Sequence, residues 1–481
     1  MKRIICFLAL ATVFFSACTD DFESINTNGN QPESVGSEFL LPTIIFDFAN
    51  INVNEAYNFG DIISQYAANY EFINLDLYRW SGDDRFWSPM YQVLLNIQDV
   101  KSQAIADGDQ NLEAVALILE SQVMSVITDA YGHVPYSEAL LAESNMITPS
   151  YDNQEDIYNQ LFTNLERANS LIDTDGSVKG DILFDGNMAM WQKYANTLRV
   201  RLLMHTANVN TNISSNLKAI LENPAKYPLL GSTEDDVIYE YSGVVPDVST
   251  VSAVNGGRAY DYFLSVPTTT FIDNLDDNDP RLELFLSPRQ CAEGDATCAA
   301  DRLQGVAPGL DQSNIGRPAD YSRRSEEFYN SGTLIQSIWV TYSELNFILA
   351  EAREEGYIST GTAKGYYDAA VEASFTQWGL TMPADFLTTT APYDNTTEVL
   401  YEQKWLALYH VGIEAWLDWK RTRKPSFIKA GPGTSNNGNV PVRLFYPADE
   451  QSLNAENYEN AIKLLDGNDD LNAGAWWWSA N

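Results

Sequence analysis

Only three histidines are present, His133, His205 and His410, and they lie far apart in the chain. An H-E-x-x-H pair would set two zinc ligands on one helix face, a G-x-S-x-G turn would expose a nucleophilic serine, and a Walker loop would cradle phosphate. None of these patterns occurs. Carboxylates are the abundant reactive type, 66 Asp and Glu against 29 Lys and Arg, for a net charge of −37. Two carboxylates flanking a glycosidic bond would make a glycoside hydrolase, and abundance alone leaves that reading open. Binding chemistry is better represented. A sugar offers a C–H face and a rim of hydroxyls, and its complement is an aromatic plate flanked by planar polar groups. The run Tyr78-Arg79-Trp80-Ser81-Gly82-Asp83-Asp84-Arg85 has that makeup. Tyr78, Arg79, Trp80, Asp83 and Arg85 are therefore candidate ligand contacts. Tyr260 and Tyr262 in Tyr260-Asp261-Tyr262-Phe263, and Tyr321 beside Arg323-Arg324, are weaker ones. The competing reading is that these aromatics pack loops onto a scaffold.

Metal chemistry is poorly supported. Asp276-Asp277-Asn278-Asp279, Asp107-Gly108-Asp109 and Asp173-Thr174-Asp175-Gly176 are rich in carboxylates, but none completes an EF-hand loop with its closing Glu. No cofactor is expected, and a structural calcium stays open without support. Four cysteines are present. Cys291 and Cys298 pair most simply as a disulfide in an oxidising exterior, because two thiols without a nearby histidine cannot complete a zinc tetrahedron.

The elements that must position these groups read as helices. Leu112, Val115, Ala116, Leu119, Val123 and Val126 recur at steps of three and four, as do Ile157, Leu161, Leu165, Ala168 and Ile172, each marking one apolar stripe. Asp152 or Asn153 would cap the second of these. Further helices are expected over 191–209, 337–355 with Gly356 as its C-terminal cap, 362–377, and 398–419 as one buried helix. Short strands are expected at 237–241 and 442–446. Residues 227–266 and 290–329 lack periodicity and are rich in Gly, Asp, Ser, Pro and Tyr; loops this long inside a compact domain are usually functional. No clean tetratricopeptide signature emerges from spacing alone.

The start of the chain carries Lys2 and Arg3, an apolar run over 4–15, then Ser16-Ala17-Cys18. The run is shorter than the roughly 20 residues a bilayer span needs and fits the core of a secretory signal. Its end resembles a lipobox, with Phe15 where Leu is commoner. Residues 1–17 are read as a lipoprotein signal peptide, Cys18 as the lipidated residue, 18–36 as an acidic polar tether bearing Asp20, Asp21 and Glu23, and 37–481 as one domain. The acidic cluster after Cys18 is similar to the signal that exports Bacteroidetes lipoproteins to the cell surface. No run beyond Phe15 is expected to cross a membrane, and so negative a field repels nucleic acid and anionic lipid.

Several strings then converge in order. Thr128-Asp129-Ala130-Tyr131-Gly132-His133-Val134-Pro135-Tyr136-Ser137-Glu138-Ala139 is followed by Trp191-Gln192-Lys193-Tyr194-Ala195-Asn196-Thr197-Leu198 with Arg201, then by Asn278-Asp279-Pro280-Arg281. Thr341-Tyr342-Ser343-Glu344-Leu345-Asn346-Phe347 with Ala350-Glu351-Ala352, Gln403-Lys404-Trp405-Leu406-Ala407-Leu408, Glu414-Ala415-Trp416 and Arg421-Thr422 complete the set, with Arg443, Tyr446-Pro447 and Glu450 near the end. Together these resemble the SusD/RagB-like outer-membrane nutrient-binding lipoproteins, specifically the SusD-like 2 branch, over essentially the whole chain beyond the signal. His133 and Lys420 are mild departures. The resemblance implies an all-α fold of tetratricopeptide-like helix pairs with long irregular loops and few short strands. It implies a lipid-anchored, surface-exposed protein of polysaccharide utilisation that binds glycan, or in some branches peptide, and hands it to a SusC-like TonB-dependent barrel without catalysing a reaction. The matched Glu344, Glu351, Glu414 and Arg421 then read as a buried ion-pair or capping set.

Overall fold

The computed structural model describes residues 35–479 apart from 83, 142–144, 292–297, 299–301 and 466. The signal peptide, Cys18, most of the tether and Asp83 therefore lie outside the described residues. Helix α1 (Ser37–Glu55) buries Leu41, Ile44, Ile45 and Phe48. Helix α2 (Trp87–Asp107) opens on buried Trp87 and stops at Gly108, whose φ of 71° no Cβ-bearing residue adopts easily. Helix α3 (Gln110–Tyr131) is capped by Asp109, which accepts from the Leu112 amide at 3.0 Å. It is long and apolar enough to cross a membrane by length and composition, contrary to the expectation from the sequence. Yet 94% of that window is buried inside the protein, as befits a central core helix. Helix α4 (Gln154–Leu171) follows Asn153, which occupies the capping position without a cap bond. Asp152 is diverted, accepting instead from the Tyr136 and Ser137 amides at 2.8 Å each. Helix α5 (Met188–His205) is capped by Asn187, and α6 (Ile213–Leu221) follows.

Among the described residues the strands form three two-stranded antiparallel pairs. Strand β1 (Ala67–Asn69) pairs with β3 (Ser265–Pro267), Ala68 opposite Val266. Strand β2 (Val237–Tyr239) pairs with β6 (Ser337–Val340), and β4 (Leu286–Ser287) with β5 (Arg323–Arg324). The short helix α7 (Ala259–Phe263) leads directly into β3. The expected strand at 442–446 does not form. That segment is largely buried, but it bends at Val442 and Arg443, and the Val442 and Leu444 amides go singly to the Leu471 and Ala130 carbonyls at 2.8 Å rather than to a ladder.

Helices α8 (Tyr342–Glu354), α9 (Ala363–Thr376), α10 (Thr397–Ala407) and α11 (Glu414–Thr422) complete the frame. Two expected helices are corrected. The first four residues of 337–355 are β6, because Ile338, Trp339 and Val340 suit a pleated, buried strand and Thr341 starts the helix only afterwards, accepting from the Glu344 amide at 3.1 Å. Gly356, at φ 73°, ends it. The span 398–419 is two helices, broken where His410 and Gly412 take φ of 63° and 52°. The break is forced by close approach: a Cβ on Gly60 would lie 2.1 Å from the Gly412 carbonyl oxygen. Consecutive helices pack side by side in pairs, α2 on α3, α3 on α4, and α8 on α9. They enclose one large core and a second cluster around Phe347, Tyr367, Phe375 and Leu400. A small separate cluster, Ala68, Tyr70, Val266 and Val306, lies under the loops.

Candidate functional site

At its end α1 widens into a π-helical turn, Ala56–Gly60, a distortion frequent at functional sites. Tyr57 and Asn58 of this turn, with Asn54, form one wall of a cleft of about 170 Å³. The other wall is irregular chain and α7: Thr250, Val251, Arg258, Asp261 and Tyr262. The floor is rigid. The Tyr57 hydroxyl donates to the Tyr262 carbonyl, the two rings stack with centroids 5.0 Å apart, and the Tyr262 hydroxyl donates to the Ser325 carbonyl at 3.0 Å. Beneath, the Arg324 guanidinium sits 3.6 Å from the Tyr57 ring centroid and pairs with Asp61. Burial pushes the Tyr57 hydroxyl well above the ordinary tyrosine range, so the floor stays uncharged at Tyr57. Polar groups face inward. The Asn58 amide donates to Asn54 at 3.0 Å, and Arg258 grips Asp261 through two bonds of 2.7 and 3.0 Å. The Thr250 hydroxyl is buried and, among the described residues, has no hydrogen-bond partner. Such a group calls for a ligand or water.

Beside the cleft runs an aromatic edge. Tyr260, on α7, is 49% exposed and donates to Glu71 at 2.7 Å. That hydrogen bond pushes its pKa up to about 12. Phe72 is 73% exposed and holds φ at 55°, a strained value for a bulky residue, and such strain clusters at ligand clamps. The β1–β3 pairing brings this loop to α7. The Tyr70 amide donates to the Leu264 carbonyl at 3.2 Å, the Tyr70 carbonyl accepts from Gln312 at 2.7 Å, and Asp76 accepts from the Asn69 backbone and side chain at 2.9 and 3.1 Å. Burial raises the Asp76 pKa to about 7.

Of the residues singled out from sequence, Tyr260 and Tyr262 come together here, Tyr260 on the edge and Tyr262 in the floor. The others do not. Tyr78 is buried, with its ring edge-on to Trp80. Trp80 is half-buried against Phe59, its indole N–H satisfied by the Leu75 carbonyl at 2.9 Å. Arg85 pairs with Glu55 at 2.8 Å and lies over the Phe59 ring. Arg79 is exposed and donates to Ser435 at 3.1 Å. Tyr321 packs over the small loop cluster and accepts from the Gly316 amide at 2.6 Å. Cys291 and Cys298 are bonded to each other, their Cα atoms 5.6 Å apart. Asn54, Tyr57, Asn58, Glu71, Phe72, Thr250 and Arg258 carry no signal of a site in the sequence reading; the four asparagines of 50–58 are a signal for Asn54 and Asn58 alone. Among the described residues no group of three or more His, Cys, Asp or Glu converges on a metal site.

The family-matched acids lie elsewhere, in the frame. Glu344 pairs with Arg201, Glu351 with Arg421 at 2.5 Å, and Glu414 with His205 at 2.7 Å, all buried. The expected ion-pair set is thus present and remote from solvent.

Comparison with known proteins follows this geometry. A family model described as starch-binding associating with outer membrane, SusD-like 2, matches residues 29–447. No curated protein sequence matches the chain. A solved chitin-binding protein is 26% identical with a TM-score of 0.79, covering 92% of this chain and 99% of its own. A SusD homologue from Bacteroides fragilis is 25% identical with a TM-score of 0.78, covering 93% and 100%. Another from Bacteroides uniformis, at 23% identity, a TM-score of 0.74 and coverage of 92% and 98%, shares the fold.

Proposed function

Since the chain belongs to the SusD-like family of outer-membrane-associated nutrient-binding proteins, we propose that it captures glycan at the cell surface and passes it to a SusC-like TonB-dependent barrel, anchored through lipid on Cys18 and spaced from the membrane by its acidic tether. The observation that carries the reading is the contiguity of the cleft and the aromatic edge. Phe72 and Tyr260 offer exposed rings for the C–H face of a sugar, and Asn58, Thr250, Arg258 and Asp261 offer the rim of donors and acceptors its hydroxyls need. The similarity to a chitin-binding protein supports a polysaccharide cargo.

The protein binds without cutting. A glycoside hydrolase needs two carboxylates straddling the bond, about 5–9.5 Å apart. Asp261 lines the cleft and is locked to Arg258, and Glu71 on the aromatic edge is engaged by the Tyr260 hydroxyl.

Isothermal titration with starch and chitin oligosaccharides tests the reading. Phe72→Ala and Tyr260→Ala should each weaken binding about fivefold while leaving the melting temperature unchanged, because both side chains are exposed. Full affinity in both variants would move the site elsewhere. Binding of a peptide mixture but of no oligosaccharide would change the cargo and keep the import role. Release of reducing ends on incubation would overturn the non-catalytic reading.

A further inference from the structure

On another side of the frame, α2, α3 and α4 enclose a second cavity of about 290 Å³ that shares no lining residue with the cleft. Tyr91, Leu94, Gln98 and Lys101 line it from one face of α2, as their spacing of three and four dictates. Asn164 and Gln160, four apart on α4, line the opposite side, and Tyr136 and Leu140 close it from the segment between α3 and α4. Its floor is a connected polar chain. Gln160 donates to Asn164 at 2.8 Å, Asn164 donates to the Tyr136 hydroxyl at 3.1 Å, Tyr136 donates to Glu120 at 2.6 Å, and Lys101 donates to the other oxygen of Glu120 at 2.5 Å.

The chain is built in place before any ligand arrives. Asp152 holds the Tyr136 and Ser137 amides, and Leu140 keeps a φ of 65°, an observed strain of the kind found around binding sites. Binding capacity is left over. The Lys101 ammonium has three N–H donors and uses one on Glu120. Among the described residues the Gln98 amide has no partner, and it is only half-buried in the cavity wall. The charges of Lys101 and Glu120 cancel, so a net charge on the ligand would find no counterion here. The volume, about 290 Å³, lies just below the range for drug-sized ligand pockets, about 300–1000 Å³, which suits one ring rather than a polymer. Spare N–H and C=O groups between phenol rings and leucines match an uncharged ring with hydroxyls on its rim and C–H groups on its face. We propose that this cavity is a second, separate binding site, for a single neutral sugar ring.

The test is saturation-transfer NMR on the folded chain with D-glucose, N-acetylglucosamine and free leucine at millimolar concentration. At least one of the sugars should receive transfer, and leucine none. Gln98→Leu removes an amide that supports nothing else, so it should fold with an unchanged melting temperature and weaken the sugar about tenfold. The Phe72→Ala/Tyr260→Ala double variant should bind the single sugar as the wild type does, even though it loses oligosaccharide. No transfer to either sugar, transfer to leucine alone, or equal sugar binding in Gln98→Leu would each overturn the proposal. Loss of the single sugar in the double variant would place it in the cleft and also overturn it. Failure of the cleft to bind oligosaccharide, with the single sugar still bound, would count against the cleft alone.

Discussion

Charge is handled in opposite ways by the frame and by the loop face. In the frame, most ion pairs join separate helices. Arg201 on α5 reaches Glu344 on α8, with Glu414 on α11 at 3.8 Å. His205 lies between Glu414 and Asp129, at 2.7 and 3.2 Å. Lys404 bonds Asp418 at 2.7 Å, and Arg421 bridges Glu351 and Asp418 at 2.5 and 2.8 Å. All are buried. On the loop face the buried Arg324–Asp61 pair beneath the cleft is built like those of the frame, but the exposed pairs are local: Arg258–Asp261, Arg317–Asp320 and Arg323–Glu326 each span three residues. A buried pair contributes little beyond a well-packed apolar substitute, but removing one partner strands a charge. An exposed local pair contributes almost nothing either way. The frame's charges therefore fix which helices meet, while the exposed loop charges shape only their own segment. Loops can change cargo without disturbing the frame.

The largest effect that bears on this contrast is expected at Glu344→Gln. It leaves Arg201 buried with its main counter-charge gone, and should cost ~3–5 kcal/mol in urea unfolding. A loss below about 1 kcal/mol would mean that the buried mesh is no more consequential than the surface pairs. Next is His205. Burial works against its charge, but Glu414 and Asp129 prevail and raise its pKa to about 9 from a reference of 6.5. A raised folded pKa means the contribution is complete below about pH 6.5 and disappears as pH rises through 9, ~3 kcal/mol at most. Lys420 runs the other way: burial lowers its pKa to about 7 from 10.5, so its contribution improves over the alkaline range. The stability difference between wild type and His205→Gln isolates the histidine. It should be large near pH 6 and small above about pH 9.5; a difference that does not vary with pH would remove His205 from the mesh.

The same contrast explains what could be read from sequence. The frame was legible because helix periodicity is local: the stripe through Leu112, Val115, Leu119 and Val123 lies inside α3. Glu344, Glu351, Glu414 and Arg421, read through the family resemblance, are buried pairs. Legibility failed where a neighbour distant in sequence decided the backbone. Gly412 breaks a predicted helix because Gly60 presses on it, and Ser337–Val340 is a strand because β2 lies beside it. The cleft failed for the same reason. Asn58 meets Thr250 only through a π-helical turn, and the loop of Phe72 reaches α7 only through the β1–β3 pairing. Trp80 has the composition of a sugar platform, yet its N–H and one ring face are used within the fold.

The smallest effect belongs to Arg258→Ala. Its side chain is 78% exposed and that of Asp261 52%, so the pair is solvated in the folded and the unfolded chain alike. Unfolding in urea should shift by at most ~0.5 kcal/mol. Binding should respond differently, since Arg258 and Asp261 line the cleft. Without the guanidinium, Asp261 loses its two short donors and turns to water, and oligosaccharide affinity should fall a few-fold. The pairing of unchanged stability with weakened binding is the inverse of what Glu344→Gln should give, lost stability with intact affinity in whatever fraction remains folded. If Arg258→Ala destabilised the protein as much as Glu344→Gln, the loop face would have to be counted as part of the frame.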